Sequence, residues 1–237
     1  MLHILMRPSG KAELCSACAI ILFISIMETK PLLIGGNWRT TNNQQEVRSP
    51  FNGEGLALVS YASRGDVEEA IAVAASTAAQ MRALPRYEIA EALRRLADYI
   101  QAHREDFART IATEAGKPIN AARGETDRAV STFTFASEEA RRFTGESVPV
   151  DTQAIGRGRT GWMERIPRGV IFGITPFNFP LNLVAHKVAP ALASRNAIIV
   201  KPSPRTPLTS LMLGLAFLSC GLPAGALQIV PMEIPEI

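Results

Sequence analysis

The sequence predicts an α/β fold in which an N-terminal helical layer feeds a doubly wound parallel sheet. Three observations carry this. From Gly169 onward, short runs rich in Val and Ile alternate with longer helical segments, at 169–174, 181–193, 197–201, 207–219 and 226–230, and such alternation marks parallel strands joined by crossovers. Between 66 and 143 the apolar residues recur every three or four positions instead, the period of helices that bury one face. The chain has 237 residues, 47% of them hydrophobic and 20% charged, which is enough to bury a core in one or two domains.

Two short strands open the predicted fold, at 32–38 and 56–61, around a polar turn segment at 40–55. Asp66 is placed as the N-cap of a first helix, in which Val67, Ala70, Ile71, Ala74, Ala78 and Met81 follow helical spacing. The Leu84-Pro85 break starts a second helix with Ile89, Leu93, Leu96 and Ile100 on one face. A third runs over 103–115 with Phe107 and Ile111 inward, and Gly116, Lys117 and Pro118 end it. A fourth covers 120–143 and closes at Gly145; a turn-rich linker at 156–161 leads into a strand at 160–165.

Composition excludes little but does exclude something. A net charge of +3 gives no reason to invoke nucleic acid. Three cysteines, Cys15, Cys18 and Cys220, imply no disulfide framework, so a reducing, cytoplasmic setting is the default. Cys15 and Cys18 form a C-x-x-C without a second ligand pair, so no metal site is predicted. The apolar run at 14–27 follows Arg7 and Lys11 but is too short to span a bilayer comfortably and lacks a small-x-small cleavage site. The preferred reading takes Met27 as the true start and 1–26 as upstream sequence; a targeting segment and an ordinary extension are the alternatives.

The chemistry is concentrated in the strand–turn–helix–strand at 169–203. A buried strand ends in Thr175, and Pro176-Phe-Asn-Phe-Pro180 then forms a stiff turn presenting Asn178, because proline fixes φ on both sides. The next strand ends in Lys201, Pro202 and Ser203. One carboxamide and one cation thus meet at the carboxyl edge of a sheet, where α/β proteins bind nucleotides. Read without further context, Asn178 caps the helix that follows and Lys201 is a solvated strand-end lysine.

The spelling of these motifs resembles the aldehyde dehydrogenase superfamily, whose turn reads P-[WF]-N-[FY]-P and whose next strand ends in K-P-[SA]. The resemblance runs from about 31 to 231. It implies the helical shoulder and partial Rossmann-like parallel sheet of that family's cofactor domain, truncated to its N-terminal part over 27–237, with the catalytic domain absent. It implies an oxidoreductase that converts a small aldehyde to a carboxylic acid with NAD or NADP. In that setting Asn178 is the oxyanion-hole donor, a role worth roughly 3–4 kcal/mol in the transition state. Lys201 donates to the adenosine ribose. Ile174, Thr175, Pro176 and Phe177 lie along the cofactor, with Ser203, Pro204 and Arg205 beside it. Phe179, Leu183 and His186 match the aldehyde tunnel, and Lys187 a lysine near the proton-relay path; an exposed helix His and an ordinary helix lysine are the plain alternatives.

Several departures qualify the resemblance. Members preferring NAD often carry Glu at the position of Pro204; its replacement, with Arg205 adjacent, predicts that NADP is tolerated or preferred. His186 is polar where many members are aromatic and points to a polar or anionic aldehyde. Met232 stands where relatives commonly have Gly, close to the adenine, so its side chain is expected to crowd the dinucleotide. Glu114 reads as a helix-end residue of the shoulder and Cys220 as a buried inert thiol. The family's nucleophilic Cys and general-base Glu have no counterpart here, so this chain alone is expected to be inactive; the alternative is a non-catalytic nucleotide-binding or interaction module. Family members pair as dimers or tetramers, and 159–165 falls in an oligomerising strand segment. The uncovered apolar faces and open sheet edge predict poor folding or aggregation of the chain alone.

Overall fold

The computed structural model describes residues 28–233. The readings of 1–26, Met27, Cys15 and Cys18 lie outside the described residues.

The N-terminal strands are more finely divided than periodicity indicated. After the short β1 (Thr29–Lys30), the predicted strand at 32–38 is a hairpin of β2 (Leu32–Ile34) and β3 (Asn37–Arg39). Gly35 and Gly36 make the turn at φ 60° and 84°, which a side chain would strain. The polar segment at 40–55 contains a further strand, β4 (Gln44–Arg48), paired antiparallel with β5 (Gly55–Ser60). Its polar composition hid it, since only Val47 is buried along it.

The helical layer follows the predicted spacing closely. Helix α1 spans Arg64–Ala83, but its N-cap is Ser63; Asp66 is the reciprocal member of a capping box, accepting from the Ser63 amide while the Ser63 hydroxyl accepts from its own. Ala70, Ala74 and Met81 are buried along it, whereas Ile71 is half exposed because the buried stripe passes through its neighbours. Helix α2 (Arg86–Ala102) buries Ile89, Leu93, Leu96 and Ile100 completely, and α3 (Arg104–Ala115) buries Phe107 and Ile111. Gly116 ends α3 in the left-handed region at φ 64°. Helix α4 (Ile119–Arg142) follows, and then the hairpin of β6 (Glu146–Val148) and β7 (Gly161–Met163).

The second half is β8 (Val170–Ile174), α5 (Asn182–Ala193), β9 (Ala197–Lys201), α6 (Leu208–Leu218) and β10 (Leu227–Ile229). Strands β8, β9 and β10 are parallel, as the alternation required. The sheet as a whole is mixed, in the order β3-β2-β10-β9-β8, because the N-terminal hairpin adds two antiparallel strands beyond β10.

Both faces of this sheet are covered, and the side-chain period of two sorts its residues between them. Leu32, Ile34, Ala197 and Ile199 pack with Ala70 and Ala74 of α1 on one side. Leu33, Ile198, Val200, Leu227 and Ile229 pack on the other with α2, α5 and α6. Every residue of β9 is buried for that reason. Met232 packs against the α1-side cluster as a partly buried side chain.

Candidate active site

Strands β8 and β9 end side by side, Ile174 opposite Lys201. Beyond them the Thr175 amide donates to the Lys201 carbonyl at 3.2 Å, which binds the root of one loop to the end of the other strand. The two loops, 175–181 and 202–207, therefore emerge at one place on the carboxyl edge. The Thr206 hydroxyl spans them again, donating to the Phe177 carbonyl at 3.4 Å. Beside them opens a cavity of about 430 Å³ whose wall is Phe177, Pro204, Arg205 and Thr206 on one side and Val47, Arg48 and Glu114, from β4 and the end of α3, on the other; Asn178 and Lys201 do not line it.

Asn178 is exposed at the tip of its turn, and among the described residues its carboxamide has no hydrogen-bond partner. It does not cap α5, so the capping alternative does not hold in this structure. Glu125 of α4 does that work. This fully buried carboxylate accepts the amides of Leu181 at 2.9 Å and Asn182 at 3.1 Å. Lys117 balances it, Nζ to Oε2 at 2.5 Å, and also sits 3.8 Å from the centroid of Phe179.

A second carboxylate of the helical layer serves the second loop. Glu114 accepts the amides of Leu208 at 2.8 Å and Thr209 at 3.0 Å, and the Thr209 hydroxyl as well. Glu114 is thus a buried cap of α6, not merely a helix-end residue of α3. Burial pushes its carboxyl up to about 7, against the bonds from Thr209 and Leu208 that pull it down. Sequence reasoning missed both glutamates. The signal it did contain was Glu114 and Glu125 flanking a Gly-Lys-Pro break, at positions that helical spacing turns inward.

Lys201 is 6% exposed, so it is not a solvated strand-end lysine. Burial depresses its ammonium, and no carboxylate or hydrogen-bond acceptor meets it among the described residues. Ser203 is buried, and its hydroxyl accepts the Arg205 amide at 3.2 Å. Pro204 and Arg205 are exposed; the Arg205 guanidinium lies 4.9 Å from the Phe177 ring centroid and forms no ion pair among the described residues. Ile174 is 62% and Phe177 48% exposed, leaving an apolar wall on the rim, while Thr175 is buried and Pro176 exposed. Unpaired cations beside an apolar wall, with no carboxylate at position 204, fit a dinucleotide that brings hydroxyls and phosphates.

The tunnel candidates separate. Phe179 is half-buried beneath Lys117 and Arg128, the latter 5.1 Å from its centroid. Leu183 is half-buried on α5. His186 is exposed and lines a different cavity, of about 440 Å³, with Thr132, Phe135 and Phe143. Lys187 is half-buried, its stem lying where a Cβ on Gly173 would come within 3.4 Å. Cys220 is buried, and burial pushes its thiol up to about 11. Among the described residues no group of His, Cys, Asp and Glu could hold a metal ion, and no helix is long and apolar enough to cross a membrane.

Comparison with known proteins places these features in context. A family model described as the aldehyde dehydrogenase family matches residues 38–237. The chain is similar to the 3-sulfolactaldehyde dehydrogenase of Priestia aryabhattai, 39% identical over 206 residues, which cover 87% of this chain and 43% of that protein. Among solved structures it resembles aldehyde dehydrogenase 21 from Physcomitrella patens in complex with the reaction product succinate, with a TM-score of 0.85, 34% identity, and coverage of 88% of this chain and 44% of that one. It also resembles the NADP-dependent glyceraldehyde-3-phosphate dehydrogenase from Bacillus halodurans C-125 complexed with NADP, with a TM-score of 0.83, 29% identity, and coverage of 86% and 44%. The chain spans less than half the length of each of these relatives.

Proposed function

The chain belongs to the aldehyde dehydrogenase family, and from that premise we propose that its residues form the nucleotide edge and the oxyanion donor for NAD(P)-dependent oxidation of a small aldehyde to a carboxylic acid. The observation that carries this is the meeting of Asn178 and Lys201 at one sheet edge, joined through the Thr175–Lys201 backbone bond. Lys201, with Ser203, would hold the adenosine ribose. Arg205 would meet a 2′-phosphate, and Pro204 brings no charge to repel one. Ile174, Thr175, Pro176 and Phe177 would line the nucleotide's path. A nicotinamide dinucleotide held there would supply the hydride acceptor for the oxidation.

Asn178 offers its N–H₂ to the oxygen that becomes negative when a thiolate adds to the aldehyde carbonyl. The turn is already stiff, so little reorganisation accompanies the reaction. No described residue supplies the thiolate: a thiol pushed to about 11 and buried, as Cys220 is, remains protonated at neutral pH. Nucleophile and general base would come from the part of its relatives that this chain does not span. These residues alone would bind nucleotide without turnover, the behaviour of a nucleotide-binding module.

The substrate is proposed to be a polar or anionic aldehyde, entering past Phe179 and Leu183 with His186 and Lys187 on the same helix. The names of two relatives, with a sulfonated aldehyde and a succinate product, support that class. A homo-oligomer is proposed through the β6–β7 hairpin, where Trp162 and Ile155 are each 76% exposed. A cytoplasmic location is proposed with it. Calorimetric titration of the chain with NADP and with NAD tests the reading. One-site binding of either supports it; no binding of either at millimolar nucleotide contradicts it.

A further inference from the structure

A helix that starts at Asn182 should take its cap from the residues just before it. Asn is among the best N-cap residues, and Asn178 stands in that stretch. Instead the first-turn amides are used up without it. Pro180 has no N–H, Leu181 and Asn182 donate to Glu125, and Leu183 donates to the Phe179 carbonyl at 3.1 Å. Glu125 comes from a helix 56 residues earlier and is fully buried among small neighbours, Ala122, Thr126 and Ala129. Burying a carboxylate is unfavourable unless it is paired and hydrogen-bonded, and an apolar residue would pack this face at less cost. The group has three partners here, two amides at the root of one turn and the Lys117 ammonium.

We propose that Glu125, balanced by Lys117, is a positioning residue that takes over the cap of α5 and so leaves the Asn178 carboxamide free to face a ligand. Lys117 reinforces this by lying over the ring of Phe179, next to Asn178, so the C-terminal flank of the turn is tied to the helical layer at two points. The functional meaning rests on the reading of Asn178 as oxyanion donor; the structural exchange of caps does not.

A thermodynamic cycle tests it. Asn178→Ala is introduced into the wild-type chain and into Glu125→Ala, and unfolding is measured in urea. In the wild type the substitution should leave the unfolding constant unchanged. In Glu125→Ala, where Asn178 is free to fold back onto the orphaned amides, it should raise the unfolding constant about fivefold, as loss of an N-cap does. Glu125→Gln keeps a carbonyl acceptor and should restore neutrality. Equal effects of Asn178→Ala in the wild type and Glu125→Ala backgrounds overturn the proposal. If Glu125→Ala does not fold, hydrogen exchange on the wild type decides. The Leu181 and Asn182 amides should be protected while the Asn178 carboxamide exchanges freely; a protected carboxamide overturns the proposal. Neither readout needs nucleotide, so failure to bind NADP would sink the proposed function and leave this result standing.

Discussion

The Glu114 carboxyl, at the end of one helix, accepts the backbone amide of Leu208, at the start of another, across 2.8 Å and 94 positions of sequence. The helical layer thereby fixes the helix that follows Lys201, as Glu125 fixes the one that follows Asn178. Each loop of the crevice is held at its far end by a carboxylate from outside the sheet.

That contact makes stability depend on pH. Burial raises the Glu114 carboxyl from 4.5 to about 7 in the folded chain. A raised carboxyl binds its proton more tightly folded than unfolded, so its contribution is fully present below 4.5 and is lost as pH rises through about 7. The loss is on the order of 3 kcal/mol. Glu114→Gln should flatten the fall in urea midpoint between pH 5 and pH 8 relative to wild type; an unchanged profile would show that Glu114 does not titrate there.

Nucleotide choice should follow the loop after Lys201. Arg205→Ala is expected to weaken NADP about tenfold or more while changing NAD little, since a guanidinium–phosphate contact is charge-assisted. Pro204→Glu is expected to shift preference toward NAD by placing a carboxylate beside the 2′ position. Competitive binding of the two nucleotides to each variant measures this, and an Arg205→Ala chain that loses both equally would refute it.

The N-terminal hairpin is pinned by a close approach. A Cβ on Gly36 would sit 2.5 Å from the Cβ of Ala224, at a φ of 84°. Gly36→Ala should destabilise the chain by about 1–3 kcal/mol, read as a lower urea midpoint; an unchanged midpoint would mean the hairpin is free to shift.

What was legible in the sequence was what is local. The run from Gly169 to Ser203 spells its strands and turn through apolar runs and paired prolines, and the helices of the shoulder show in the spacing of Ile89, Leu93, Leu96 and Ile100. What was not legible depends on distant partners. No pattern near Glu114 says that it caps a helix 94 positions away. Asp66 read as a cap because a capping box contains two acceptors, and the hydroxyl of Ser63 lies nearer the true boundary. Strand β4 was missed because four of its five residues are not fully buried, so alternation left no apolar trace.

Lys201 decides the central claim. Its side chain is largely buried and its ammonium has no partner among the described residues, so removing it should relieve a partly desolvated charge while removing a contact to the ribose. Calorimetric titration of NADP into wild type and Lys201→Ala, alongside their urea midpoints, is the direct test. The account predicts affinity weakened about tenfold to a hundredfold with a midpoint unchanged or raised. Equal affinity in the two chains would contradict it, because the nucleotide would then lie elsewhere.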